Sequence, residues 1–198
     1  MTKHCRVVLT GGPGGGKTTA ADLYRREIGE GVVVVPEAAT LLYSGGFPRL
    51  GENGVRCATQ KAIYYVQKYL EDAQSEHYKN RILLCDRGTV DGAIYWPKEP
   101  VGFFDALGTT LEKELGRYDA VIFFETAAVG GVSIEGGNPI RVESNDEAVI
   151  LDRKLQELWS QHPNYVFIPH ESSFIKKIYS GLEELAKIVT KLQCAHKL

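Results

Sequence analysis

The sequence predicts an α/β fold, a parallel sheet covered by helices on both faces. Five apolar runs suited to buried strands recur along the chain: CRVVLT, GVVVVP, RILLCD, DAVIFFE and NYVFIP. Most are separated by segments whose apolar residues return at helical spacing, an alternation that favours parallel strands joined by crossover helices. A glycine-rich stretch, GGPGGGKTT, stands between the first strand and the first helix.

That stretch fits G-x-x-x-x-G-K-[ST] from Gly11 through Gly16, Lys17 and Thr18. Glycines let successive backbone N–H groups approach an anion with no Cβ in the way, and the following helix adds the partial positive charge of its N-terminus. The loop therefore suits a polyphosphate. Its candidate nucleotide contacts are Gly11, Gly12, Pro13, Gly14, Gly15, Gly16, Lys17, Thr18 and Thr19. Lys17 reaches the outer phosphates as a point charge, and the Thr18 hydroxyl is a candidate ligand for the Mg²⁺ of a nucleoside triphosphate.

The remaining elements follow from periodicity and caps. A long helix is expected from near Val55, its apolar stripe running through Ala58, Ala62, Val66, Tyr69 and Ala73 to pack on the sheet. SNDEAVILDRKLQELWSQHP opens on a capping box, Ser144 with Glu147, and stops before Pro163. SSFIKKIYSGLEELAKIVTKLQ makes a last helix despite Gly181. The 198 residues, 43% hydrophobic and 24% charged, suit one buried domain spanning 1–198.

A net charge of -2 argues against general affinity for nucleic acid or anionic lipid. No apolar run approaches the ~20 residues of a membrane span, and MTKHCRVVLT lacks a signal-peptide core, so a cytoplasmic protein is expected. Cys5, Cys57, Cys85 and Cys194 lie far apart without metal-ligand spacing and read as reduced, mostly buried thiols.

Three stretches break the alternation: YSGGFPRLGENG, RGTVDGAIYWPKEPVGFF and TAAVGGVSIEGGNPIRVE. In an open α/β sheet, ligands bind beyond the carboxyl ends of the strands, so these loops are the expected walls of a site. Asp86 ends the third strand and is a candidate to hold Mg²⁺ or to take a proton from an attacking hydroxyl. Glu37 closes the second strand and is its rival as base. Asp91 is read as a substrate contact or a helix cap. Arg87, Arg49 and Arg141 are candidate grips on phosphate or substrate, since a guanidinium binds oxyanions in a bidentate way. Arg141 is the preferred clamp on the transition state. Phe47, Tyr95, Trp96 and Phe103 are more simply loop packing than a stack on a ligand ring.

GGPGGGKTT, PEAAT, CDRGTVDGAIYWP and NPIRVESNDEA together resemble a family of small P-loop AAA/ATPase-kinase domains related to the ribosylnicotinamide kinase domain of NadR, over roughly Val7 to Pro169. The resemblance implies a three-layer P-loop fold of kinase type, with a five-stranded parallel sheet in the order 2-3-1-4-5. It also implies ATP or GTP with Mg²⁺, Asp86 and Arg87 as an Asp-Arg pair, and Arg141 with Glu143 as lid elements. Asp-Arg after the third strand, in place of Asp-Glu, and the lack of N-K-x-D favour a small-molecule kinase. The expected function is Mg-ATP-dependent phosphoryl transfer to a nucleoside-like metabolite. The alternative is a regulatory ATP- or GTP-binding protein with slow hydrolysis. A nucleic-acid end kinase is disfavoured by the charge balance.

Overall fold

A computed structural model describes residues 5–132 and 144–195. The strands are β1 (Arg6–Thr10), β2 (Val32–Val35), β3 (Ile82–Asp86), β4 (Ala120–Phe124) and β5 (Tyr165–Ile168). Each lies in one of the five apolar runs. They form one parallel sheet in the order β2-β3-β1-β4-β5. The chain crosses from β3 over β1 to β4, so the direction of winding reverses at the carboxyl end of β1, where ligands bind in open sheets. Register brings Leu9 beside Asp86 on one side and Ile122 on the other.

Alternation within the strands divides the core between the two faces. Val7, Leu9, Leu84, Ile122 and Phe124 pack with Ala20, Ala21 and Tyr24 of α1 (Lys17–Ile28) and with Ile178, Leu185 and Val189 of α7 (Phe174–Ala195). Val8, Leu83, Cys85, Val121 and Phe123 pack on the other face with Leu115 of α5 (Leu111–Leu115) and with Leu155 and Trp159 of α6 (Asn145–Trp159). Each fully buried Leu or Phe contributes roughly 1.5–3 kcal/mol. Gly181 of α7 faces Tyr24 of α1 and Phe124 of β4. A Cβ there would stand 2.2 Å from the Tyr24 hydroxyl and 2.7 Å from the Phe124 ring, so the glycine is a packing requirement rather than a break.

The capping box forms as expected: Ser144 Oγ accepts from Glu147 N at 3.3 Å, and Glu147 Oε2 accepts from Ser144 N at 2.9 Å. The long helix, α3 (Asn53–His77), exists, but its inward face differs from the expected stripe. Ala58, Tyr69 and Ala73 are exposed, and the buried side chains are Thr59, Gln60, Tyr64, Gln67, Glu71 and Ser75. A polar face can be buried when its groups are bonded. Glu71, fully buried, accepts from Tyr118 at 2.8 Å, Arg117 at 2.9 Å and Gln67 at 3.1 Å. Gln67 also donates to the Arg87 carbonyl at 3.3 Å and accepts from Ala38 N, at the start of α2 (Ala38–Ser44), at 3.1 Å. Between β3 and β4 the chain makes a 3-10 turn, Asp91–Tyr95, and the short α4 (Phe103–Ala106) before α5. Cys5 and Cys85 are buried and Cys57 is partly exposed. No helix among the described residues is long and apolar enough to cross a membrane.

Candidate active site

The phosphate loop spans the gap between β1 and α1. Gly11 sits at φ 133°, and a Cβ on it would lie 2.0 Å from the Phe124 carbonyl oxygen. Gly16, the N-cap residue before α1, sits at φ 90° in the left-handed region, where a side chain is strained. Lys17 is buried and donates from Nζ to the Gly12 carbonyl at 2.7 Å, across the loop it belongs to. Thr18 and Thr19 follow in the first turn of α1 and are exposed. Thr18 Oγ1 donates to Asp86 Oδ2 at 2.7 Å. Hydroxyl and carboxylate oxygens are the hard donors that Mg²⁺ takes, so this pair fits the metal that accompanies a nucleoside triphosphate.

Beside the loop opens a cavity of about 500 Å³. Pro13 of the phosphate loop, Glu37, Arg49, Arg87, Asp91 and Tyr95 are among the residues on its wall. Glu37 does not close the strand as expected: β2 stops at Val35, before Pro36, and Glu37 stands at the N-cap position of α2 without capping it by its side chain. Arg87 Nε donates to its Oε1 at 2.5 Å while Thr40 Oγ1 donates to Oε2 at 2.6 Å. Burial pushes the Glu37 carboxyl up, but the charges of Arg87 and Lys17 and the Thr40 hydrogen bond outweigh it and hold the group below the ordinary carboxylate value. Asp86 behaves oppositely. Burial and then the Glu37 charge push it up, against Thr18, Lys17 and Arg87.

Arg87 is the one non-glycine with positive φ, 71°, among the described residues. Such a backbone costs of order 1–3 kcal/mol and persists only where its surroundings hold it. Here Arg87 N donates to the Leu9 carbonyl at 3.0 Å, and its side chain bridges Glu37 and Asp91. Asp91 borders the cavity but spends its oxygens on Thr10 at 2.9 Å, Trp159 Nε1 at 2.7 Å and Arg87 at 3.1 Å. It caps no helix; the cap position of its 3-10 turn is Val90. Arg49 lies over the Tyr43 ring, 5.3 Å from its centroid. Phe103 and Trp96 pack edge-to-face at 5.6 Å. Arg141 and Glu143 lie outside the described residues.

One residue escaped the sequence reading. Asp152 on α6, almost fully buried, accepts from Gly12 N at 2.6 Å and from Thr126 N at 3.0 Å. Its signal was an acid on the helix's apolar stripe, between Ala148 and Leu155 and in line with Trp159, where an unpartnered carboxylate would be costly.

A second cavity, about 730 Å³, opens at the amino ends of β4 and β5 between Leu115, Tyr118, His162 and Asn164. It lies across the sheet from the phosphate loop. Its buried imidazole is satisfied: His162 Nδ1 accepts from Asn164 N, so Nε2 donates to the Tyr118 carbonyl, each at 3.0 Å.

Comparison with known proteins agrees with this fold. No curated protein matches the chain. Among solved structures, thymidylate kinase from Ehrlichia chaffeensis superposes with a TM-score of 0.61 over 94% of this chain and 98% of that one, at 13% identity. That likeness carries the fold, a P-loop sheet of kinase type. A family model described as an AAA domain matches residues 6–174. With that match running from β1 to the start of α7 and a phosphate loop at its head, the chain belongs to the AAA domain family and is a P-loop nucleotide-binding protein.

Proposed function

We propose that the protein, acting as one domain, transfers the γ-phosphoryl group of ATP to a hydroxyl of a small nucleoside-like acceptor. The observation that supports this most is the shared wall: Pro13 of the phosphate loop and the carboxylate of Glu37 border one cavity of about 500 Å³. That volume lies within the usual range for small-molecule pockets. A hydrolase needs room only for water beside its triphosphate.

In this reading the backbone of Gly11–Thr19 and the Lys17 ammonium bind the triphosphate. Mg²⁺, held by Thr18 and by Asp86 directly or through water, would neutralise charge on the phosphate oxygens. Glu37 is the base, because it stands on the cavity wall and is held ionised, whereas Asp86 is not among the residues that line that cavity and forms a hard-donor pair with Thr18. The acceptor hydroxyl oxygen forms a bond to the γ-phosphorus as the bond from that phosphorus to the β-bridging oxygen breaks. The hydroxyl proton passes to Glu37, and ADP leaves with the electron pair. Arg87 orients Glu37, Arg49 and Asp91 border the acceptor, and Arg141 supplies positive charge to the transferred group. The resemblance of the sequence motifs to the ribosylnicotinamide kinase domain makes nicotinamide riboside a first acceptor to try.

Mass spectrometry of the purified protein with Mg-ATP, nucleosides, nicotinamide riboside and a metabolite extract tests the reading, with Lys17→Ala as control. A species heavier by one phosphate, absent with the variant, is expected. ADP without such a species would overturn the kinase in favour of a nucleotide-dependent switch.

A further inference from the structure

Four groups close a ring around the first half of the phosphate loop. Asp152 Oδ1 accepts from Gly12 N at 2.6 Å and from Thr126 N at 3.0 Å. The hydroxyl of the same threonine donates to the Pro13 carbonyl. Thus the N–H of Gly12 and the C=O of Pro13 are both gripped from the β4–α6 side of the molecule. With its N–H held by Asp152, Gly12 presents its carbonyl to Lys17 Nζ at 2.7 Å. The approach is close enough to need glycine. A Cβ at position 12 would lie 2.5 Å from Asp152 Oδ1 and 2.7 Å from its Cβ.

We propose that Asp152, with Thr126, is a clamp that holds the phosphate loop in its triphosphate-binding shape, making Asp152 a positioning residue for nucleotide rather than a mere core acid. The role deepens the kinase reading above but is read out in nucleotide affinity, which does not depend on any acceptor. The chemistry suits the task. A carboxylate oxygen accepts two backbone N–H bonds at once, charge-assisted bonds are the strong ones, and a glycine-rich loop has many conformations to lose before it binds. Asp152 is almost fully buried beside Gly12 and Thr126, so its bonds are not shared with bulk water. The helix that carries it also carries Trp159, which holds Asp91, and Glu147, which borders the acceptor cavity. α6 therefore ties the wall of that cavity to the phosphate loop as one rigid element.

The test is calorimetric titration of a non-hydrolysable Mg-ATP analogue into the wild type, Asp152→Ala, Asp152→Asn and Thr126→Val, with a thermal melt of each. Asp152→Ala is expected to bind about tenfold or more weakly, the scale of one charge-assisted hydrogen bond. Asp152→Asn keeps an acceptor oxygen and is expected to recover to within about threefold of wild type; Thr126→Val keeps the backbone N–H on Asp152 but loses the Pro13 bond, together with the 3.3 Å bond from Ala128 N, and is expected to weaken binding several-fold. A purely structural role predicts a lower melting temperature with unchanged affinity in the folded protein, and that result overturns the proposal. Should Asp152→Ala not fold, wild-type affinity in Thr126→Val overturns it equally. If no acceptor is ever phosphorylated, the kinase reading falls while these affinities still decide the clamp.

Discussion

Arg87 Nε donates to Glu37 Oε1 at 2.5 Å, and Arg87 Nη1 donates to Asp91 Oδ2 at 3.1 Å, so one guanidinium holds two carboxylates at the edge of the cavity beside the phosphate loop. The arrangement explains why Glu37 stays ionised despite its burial. Glu37→Gln is predicted to lower turnover by roughly 10²–10⁴, the usual worth of a positioned base, with affinity for an ATP analogue preserved. Because its carboxyl is held below the ordinary value of 4.5, the acid limb of wild-type kcat/KM should lie below pH 4.5 and vanish in the variant. Unchanged turnover would exclude Glu37 as the base.

Thr18 and Asp86, joined at 2.7 Å, predict a different signature. Asp86→Asn should raise the Mg²⁺ concentration needed for half-maximal activity by about tenfold or more, since one carboxylate charge is lost from a hard-cation site. Titrating Mg²⁺ at fixed nucleotide measures it. A fall in turnover with no change in Mg²⁺ demand would assign Asp86 to proton transfer instead.

Arg141→Ala is predicted to reduce turnover on the order of 10³-fold or more, the scale of an arginine that stabilises transferred phosphoryl charge, with nucleotide affinity altered far less. A loss below about tenfold, measured by steady-state kinetics, would remove it from the reaction.

Lys177 predicts a pH dependence of stability. Buried on α7, it donates to the Glu125 carbonyl, and burial pulls its ammonium down from 10.5 to about 8. Between those values the unfolded chain binds more protons than the folded one, so stability should rise with pH from about 8 to 10.5. Below about 8 the cost of burying the charge is fully present; over the whole window the gain is about 3 kcal/mol at most. Cys85 and Tyr118, whose burial pushes them above their ordinary values, act oppositely as pH passes 9 and 10. The quantity to measure is therefore the difference in urea midpoint between wild type and Lys177→Met across pH 7–10. The prediction is that it shifts steadily in favour of wild type; a flat difference would refute it.

The sequence by itself determined the five strands, the phosphate loop and the capping box of α6. Each is a local pattern: an apolar run, a glycine spacing, a Ser–Glu pair three residues apart, and local backbone physics acts on neighbours along the chain. The tertiary structure alone decided which distant side chains meet. Glu37 and Arg87 are separated by 50 positions, and Gly12 and Asp152 by 140, so no periodicity connects them. The inward face of α3 was misread for the same reason: Gln67 and Glu71 look like solvated residues until Arg117, Tyr118 and the Arg87 carbonyl arrive to satisfy them. Whether a polar side chain is buried depends on partners brought from elsewhere in the fold, and only packing supplies those.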